Sequence, residues 1–373
     1  MKLAQLSDIH LGSALQPVAG LTSAQRRGRL LRTFEESIAF LAEQQVEVAL
    51  LPGDLFDSNQ VQPGTVKAVV QALERAPEIQ FFIAPGNHDY LCPRSPYVYE
   101  RWPDNVHIFR EPTVTYVDVD SLNLRVYGRA GLRYEPDSHV LEGFRAEETG
   151  RLKLMVLHGL VAGGAAEDYC PVTTAQIAAS NLDYLALGHV HTAGGIQTAG
   201  RTSYAYSGVL EGRGFDETGE KGLLLGDLER GSVSLRLVPR GRTRFEWVRA
   251  DLTGCTGMTD LLACLEQATA AVPDGAVLRI TLNGTGAFSL EFEPQALAGE
   301  FSQNGRFAEV QIRDESLRLP DLEQLAAEQS LTGFFAKRML ERLETAEDRD
   351  QVLEACRLGL LALEGRSVTP DGI

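Results

Sequence analysis

The chain opens with short apolar runs set between longer amphipathic stretches. Residues 2–6 form a first such run, ending at Ser7-Asp8, and predict a buried strand. Over 23–45, Leu30, Phe34, Ile38 and Leu41 recur at helical spacing, with Ser23 placed to cap the helix. Residues 46–51 are apolar but too few for a helix, so a strand should lead into Pro52-Gly53-Asp54. A helix over 64–75 and a strand over 79–83 follow, closing at Pro85-Gly86. This alternation predicts βαβ units and a largely parallel sheet.

Further on the pattern turns strand-rich. Segments 113–119, 122–128, 152–157, 184–187, 203–206, 222–227 and 232–238 are expected to supply a second sheet packed on the first. A break falls near 240–250. Beyond it, a strand at 247–252, a helix at 258–271 and a strand at 277–282 predict a small α/β module ending near Arg313. After Pro320, Leu340, Leu343, Leu353, Leu358, Leu361 and Leu363 stand among charged residues and predict amphipathic helices over 321–365. The expected division is 1–245, 246–315 and 316–373. The expected class is α/β, with two packed mixed sheets flanked by helices, a smaller α/β domain and a helical tail.

Composition narrows the setting. An apolar fraction of 44% over 373 residues allows sizeable cores. No run approaches the roughly 20 apolar residues of a membrane span. Ser7-Asp8 stands where a secretory leader needs its apolar centre, so a cytoplasmic location is expected. The five cysteines are scattered with no C-x-x-C pair, which argues against a disulfide framework or thiolate zinc site. Only Cys92, four residues beyond His88, is expected near the chemistry discussed next. Net charge is −16, but residues from 251 onward carry 21 acidic and 10 basic side chains, and the first 250 carry 30 and 25. The acidity is thus concentrated in the last third. It predicts weak non-specific binding to nucleic acid without excluding a phosphate substrate. Arg26, Arg27, Arg29 and Arg32 are the densest basic cluster, spread around a helix as a solvated surface would be.

Five of the seven histidines lie in five motifs: Asp8-Ile9-His10, Gly53-Asp54, Gly86-Asn87-His88-Asp89, His158-Gly159 and Gly188-His189-Val190-His191. Each follows an apolar run, at the end of an expected strand, where open α/β sheets build their sites. Asp8 and His10 are two apart, as are His189 and His191, so each pair faces one side of an extended backbone. Carboxylates and the Asn87 amide offer hard oxygen, and imidazoles offer nitrogen to Mn, Fe, Zn or Ni. Together they read as a two-metal phosphoesterase site. Asp8, His10, Asp54, Asn87, His158, His189 and His191 are the candidate ligands. His88 is left for chemistry, with Asp89 available to orient its ring.

The five motifs resemble the pattern of the calcineurin-like metallophosphoesterases: D-x-H, G-D, G-N-H-D/E, H and G-H-x-H. Within them the chain is similar to DNA repair nucleases of the SbcD type, including their YhaO-like bacterial branch. Gly53-Asp54-Leu55-Phe56-Asp57, Pro85 to Tyr90, Tyr206-Ser207-Gly208, Gly214-Phe215-Asp216-Glu217 and Lys221-Gly222 carry that likeness. The resemblance implies a four-layer fold over about 1–240. It also implies one ion on Asp8, His10, Asp54 and His191, and a second on Asp54, Asn87, His158 and His189, roughly 3.5–4 Å apart. His88 would protonate the leaving oxygen. Manganese is the expected metal, with Mg, Fe or Zn as alternatives. The expected chemistry is 3′-to-5′ exonuclease or single-strand endonuclease cleavage of DNA.

One departure is local: some members have His after G-D-L-F where this chain has Asp57, with no basic residue in Ser58-Asn59-Gln60. The resemblance further implies a homodimer through helices near 63–76 and 93–101, and a capping module near 250–315. Its C-terminal tail would dock on an SbcC-type coiled-coil ATPase or pack on its own domain. Two other readings stay open: a phosphodiesterase or phosphatase acting on a small nucleotide, and a scaffold that has lost its chemistry. The intact ligand set argues against the scaffold.

Overall fold

The computed structural model describes residues 1–133, 140–161, 169–287, 290, 292–346, 348–363 and 365. The chain divides into two compact units, Met1–Arg244 and Phe245–Ile373.

In the first unit the elements are β1 (Lys2–Gln5), α1 (Ser23–Glu43), β2 (Val48–Leu51), α2 (Pro63–Glu74), β3 (Gln80–Ile83), α3 (Pro96–Tyr99), β4 (Val106–Ile108), β5 (Thr115–Val119), β6 (Leu124–Gly128), β7 (Leu152–His158), α4 (Thr174–Ala179), β8 (Tyr184–Gly188), β9 (Gln197–Ala199), β10 (Thr202–Tyr206), β11 (Gly222–Glu229) and β12 (Ser232–Pro239). Among the described residues they build two six-stranded sheets, ordered β12-β11-β1-β2-β3-β4 and β5-β6-β7-β8-β10-β9. β1 to β4 pair in parallel, as do β6, β7, β8 and β10. The outer strands β11, β12, β5 and β9 are antiparallel, so both sheets are mixed.

Continuous apolar runs have a direct cause here: these strands are buried on both faces. Alternate residues serve different cores. Leu3, Val48, Leu50 and Phe82 join Val126, Leu154, Val156 and Tyr184 between the sheets. Ala4, Ala49, Leu51, Phe81 and Ile83 face outward to Phe34, Ile38, Val66 and Val69 on α1 and α2. Met155, Leu157, Leu185 and Leu187 cover the far side of the second sheet with Ile177 of α4. The result is the expected α/β class: two packed mixed sheets flanked by helices.

Two details depart from expectation. Residues 222–227 and 232–238, assigned to the second sheet, instead form β11 and β12 of the first. β11 pairs antiparallel with the free edge of β1, Leu3 opposite Gly226. Period alone does not say which edge a late strand joins. The cap of α1 is Thr22, not Ser23. Its hydroxyl accepts from Gln25 N, and the Gln25 side chain accepts from Thr22 N, a reciprocal capping box.

A polar clamp crosses the sheets. Gln5, fully buried on β1, donates from Nε2 to the carbonyls of Leu187 and Ala205, each at 3.0 Å, and accepts from Tyr184 Oη. The Ser7 and Ser207 hydroxyls meet at 2.9 Å. These contacts tie β1 to β8 and β10, and candidate ligands follow directly on β1 and β8.

The second unit holds β13 (Phe245–Asp251), α5 (Met258–Thr269), β14 (Val277–Asn283), β15 (Thr285–Ala287), α6 (Pro294–Ser302), β16 (Glu309–Asp314), β17 (Leu317–Leu319), α7 (Leu322–Ala326), α8 (Leu331–Thr345) and α9 (Arg349–Leu363). β13, β14 and β16 form a parallel sheet over Leu261, Leu265 and Leu297 of its helices. Met339 of α8 and Cys356 and Leu360 of α9 pack with Leu319 of β17. Residues 366–373 of the expected tail lie outside the described residues. No helix among those described is long and apolar enough to cross a membrane.

Gly188, the last residue of β8, lets two loops cross. A Cβ there would stand 1.8 Å from the Pro52 carbonyl oxygen and 2.9 Å from His158 Nδ1. Backbone cannot yield as a flexible side chain does, so Gly188→Ala should destabilise the protein by about 2–3 kcal/mol. Gly195, with open space around its Cβ position, is the control and should shift by less than about 0.5 kcal/mol as Ala. Urea unfolding of both variants checks this.

Candidate metal centre

The five motifs converge at the carboxyl ends of β1, β2, β3, β7 and β8. Backbone bonds lace the first two loops together: Asp8 N donates to Gly53 O at 3.1 Å and His10 N to Asp54 O at 2.9 Å. The turns are sharp. Asp8, His10 and Asp54 adopt φ of 51°, 51° and 52°, and His189 adopts 101°, all in the region that disfavours residues with a Cβ. Such strain costs about 1–3 kcal/mol per residue and concentrates at functional sites. Gly86 makes room beside them, since a Cβ there would lie 2.2 Å from Asp54 Oδ1.

Asp54 stands in the middle. Its Oδ1 accepts from His88 N at 3.0 Å, while Oδ2 lies 3.7 Å from His10 Nε2 and 3.5 Å from His158 Nε2. On one side, His10 Nε2 and His191 Nε2 face each other at 3.3 Å. Ligand atoms of Asp8, His10 and His191 all fall within 4.8 Å of one another. On the other side, His158 Nε2 is 2.9 Å from Asn87 Oδ1, and Asp8, Asp54 and His158 form a second such group. His189 joins through its ring, 5.3 Å from that of His158, and its N–H donates to Asp8 Oδ1 at 2.9 Å. The structure therefore brings all seven candidate ligands to one place.

Charge at this place is poorly compensated. Burial pushes the Asp8 carboxyl up to about 6, with His158 pulling against it and Asp54 adding to the rise. Burial and then Asp89 push Asp54 up to about 7. Burial drives His10 down to about 3, and His189 down to about 4 with the help of neighbouring imidazoles. His10 Nδ1 is buried without an aligned hydrogen bond. Two buried carboxylates, imidazole nitrogens and an amide oxygen, gathered at one place, fit two divalent cations.

His88 is exposed at the mouth, its Nδ1 3.0 Å from the Asp57 carbonyl and its ring 4.7 Å from that of His10. Asp89, expected to orient that ring, does not touch it. Its Oδ1 accepts from Gly86 N at 2.7 Å, and its Oδ2 from Phe56 N at 3.1 Å and Tyr97 Oη at 2.6 Å. Both carboxylate oxygens are thereby spent on holding the loop, and the backbone of Asp57 meets His88 instead. Cys92 is a free thiol. Arg26 is buried rather than solvated, holding the 212–213 turn through bonds to Gly212 O and Arg213 O.

Sequence reading assigned no role to Arg213, Glu217 or Tyr169. Glu217 Oε1 lies 2.9 Å from His191 Nδ1. Burial acts to raise its carboxyl, but His191 and Arg213 win and hold it at about 2. His191 in turn sits above its ordinary value: burial lowers it, and Glu217 and Asp8 outweigh that. Tyr169 packs against both His158 and His189, at 5.6 and 5.3 Å. The only prior signal was that Glu217 belongs to the Gly214–Glu217 string quoted above.

Comparison with known proteins agrees with this centre. The calcineurin-like phosphoesterase family profile matches residues 1–193. The uncharacterized metallophosphoesterase YhaO of Bacillus subtilis is 26% identical over 308 residues, covering 79% of this chain and 74% of that protein. The DNA double-strand break repair protein Mre11 of Methanopyrus kandleri is 23% identical over 365 residues, covering 88% of this chain and 76% of that protein. Among solved structures, a dimetal phosphatase from Danio rerio aligns with a TM-score of 0.40 and 10% identity, over 60% of this chain and 91% of its own. With the family profile over more than half its length and the ligand set assembled, the chain belongs to the calcineurin-like phosphoesterases, hydrolases that bind two divalent metal ions.

Proposed function

We propose that the protein is a DNA nuclease of the SbcD type, hydrolysing phosphodiester bonds during end processing with two divalent ions, manganese in preference. The observation that carries this reading is the gathering of all seven candidate ligands at one place with an exposed histidine at its mouth. The Mre11 similarity over most of the chain supports polymer DNA as the substrate.

Asp8, His10, Asp54 and His191 would hold one ion, and Asp54, Asn87, His158 and His189 the other. When bound, such ions neutralise the phosphate and acidify a water. The chain's own residues do the rest. Asp54 places a single carboxylate between the subsites. Asn87 adds an uncharged oxygen where a further carboxylate would over-neutralise. His88, tethered through Nδ1 to the Asp57 carbonyl, leaves Nε2 to give a proton to the departing oxygen. Asp89 and Tyr97 keep the loop that carries it fixed.

Partners are part of the proposal. Val98 and Tyr99, each 49% exposed on α3, suit a homodimer contact, and Leu331 and Phe334, exposed on α8, suit docking of a coiled-coil ATPase. A second reading, hydrolysis of a small nucleotide diester, is favoured by one feature: the Asp57 carboxylate at the rim would repel a polyanion.

Cleavage of end-labelled single- and double-stranded DNA with Mn²⁺, beside a small chromogenic diester, tests this. We expect metal-dependent DNA cleavage that Asp54→Asn abolishes. His88→Ala should keep both ions while turnover falls about 10²- to 10⁴-fold. Loss of metal in that variant would make His88 a ligand, and diester hydrolysis without DNA cleavage would favour the second reading. Metal affinity should also depend on pH. Asp8 and Asp54, at about 6 and 7, and His191, held above its ordinary value by Glu217 and Asp8, must lose protons to ligate, whereas His10 and His189, at about 3 and 4, are already neutral. Affinity for Mn²⁺ should therefore rise from pH 5.5 to 7.5 and level off above, as titration calorimetry would record.

A further inference from the structure

Resting on the two-metal reading above, we propose that Asp57, Arg213 and Glu217 form a positioning unit behind His10 and His191. It turns both Nε2 atoms toward one ion, so that the subsite of Asp8, His10, Asp54 and His191 fills before the other.

The three residues close a ring of contacts. Glu217, 1% exposed, lies 2.9 Å from His191 Nδ1 and accepts from Arg213 Nε at 2.9 Å and Nη2 at 2.5 Å. Arg213 Nη1 is 3.7 Å from Asp57 Oδ1, which is 3.3 Å from His10 Nδ1. Both imidazoles thus have a carboxylate near Nδ1, close but not aligned for a hydrogen bond at His10, and one guanidinium joins the two carboxylates. With a proton on each Nδ1, the two Nε2 lone pairs meet across 3.3 Å. That encounter is repulsive until a cation stands between them.

Arg213 Nη2 also lies 3.1 Å from His191 Nδ1. A guanidinium can bond that nitrogen only if the proton sits on Nε2, the atom the ion needs. Ligation at Nε2 would require the proton on Nδ1, facing Glu217 Oε1 at 2.9 Å, with Arg213 bonded to the same carboxylate. Glu217 therefore favours the tautomer that can ligate, and the Arg213 contact at Nδ1 favours the other. Arg26, buried, bonds the carbonyls of Gly212 and Arg213 and holds this turn in place.

The second subsite has no such backing on His158, whose Nδ1 is 2.9 Å from the neutral carbonyl of Pro52. Two carboxylates bridged by one guanidinium stand behind the first subsite. Carboxylate-backed imidazoles are the more basic donors, and removing such a partner costs about 10- to 100-fold in metal affinity. Asp57 thereby acquires a role of its own at the position where some members of the family it resembles have histidine.

The test is calorimetric titration of the metal-free full-length protein with Mn²⁺, with the melting temperature of each metal-free variant as the check on folding. Wild type should bind two ions in resolved steps. Glu217→Gln should weaken the tighter step about 10- to 100-fold and Asp57→Asn about tenfold, with the weaker step unchanged and Asp57→Glu recovering most of the loss. Should Glu217→Gln fail to fold, the Asp57 pair decides alone. Two equal sites in wild type, a tighter step unmoved by the substitutions, or equal weakening of both steps would overturn the proposal. A wild type that binds no Mn²⁺ would instead overturn the two-metal reading beneath it.

Discussion

Two carboxylates, Asp8 and Asp54, are held at 0% and 1% exposure among imidazoles, and neither is fully neutralised by the protein around it. Burying charge in this way is costly unless a partner arrives. The surrounding structure is organised to impose it. Four candidate ligands, Asp8, His10, Asp54 and His189, sit at positive φ, and motif glycines leave room only for the crossing of neighbouring loops. The backbone thus stores strain that divalent cations, binding only the folded arrangement, would offset through mass action.

That arrangement depends on holding two sheets in fixed relation. Ligands come from β1, β2 and β3 of one sheet and from β7 and β8 of the other, so a small slip would separate them. Apolar packing of Leu3, Leu50, Phe82, Leu154 and Val156 presses the sheets together but is tolerant of sliding. Gln5 is not. Its amide must meet the carbonyls of both Leu187 and Ala205, and Tyr184 must meet its oxygen, so one relative position satisfies all of them.

Much of this was readable from the chain. Doubly buried strands print as continuous apolar runs, and each ligand motif follows such a run, so strand ends and ligands could be located together. The limits were equally physical. Residues 222–239 show strand character, but nothing local says that they join the edge of β1, more than 200 residues earlier. Asp89 follows His88 directly, which suggested that it charges the ring, whereas its carboxylate turns back to Gly86 N, Phe56 N and Tyr97. Glu217 and Arg213 meet His191 only through folding, and the partners of Gln5 lie more than 170 residues away on β8 and β10.

The central claim is that the buried carboxylates are there for two cations. Anomalous diffraction at the manganese edge, from crystals grown with Mn²⁺, addresses it most directly. The account predicts two peaks flanking Asp54, one beside His10 and His191 and one beside Asn87 and His158. A single peak, or none within bonding distance of Asp54, would contradict it.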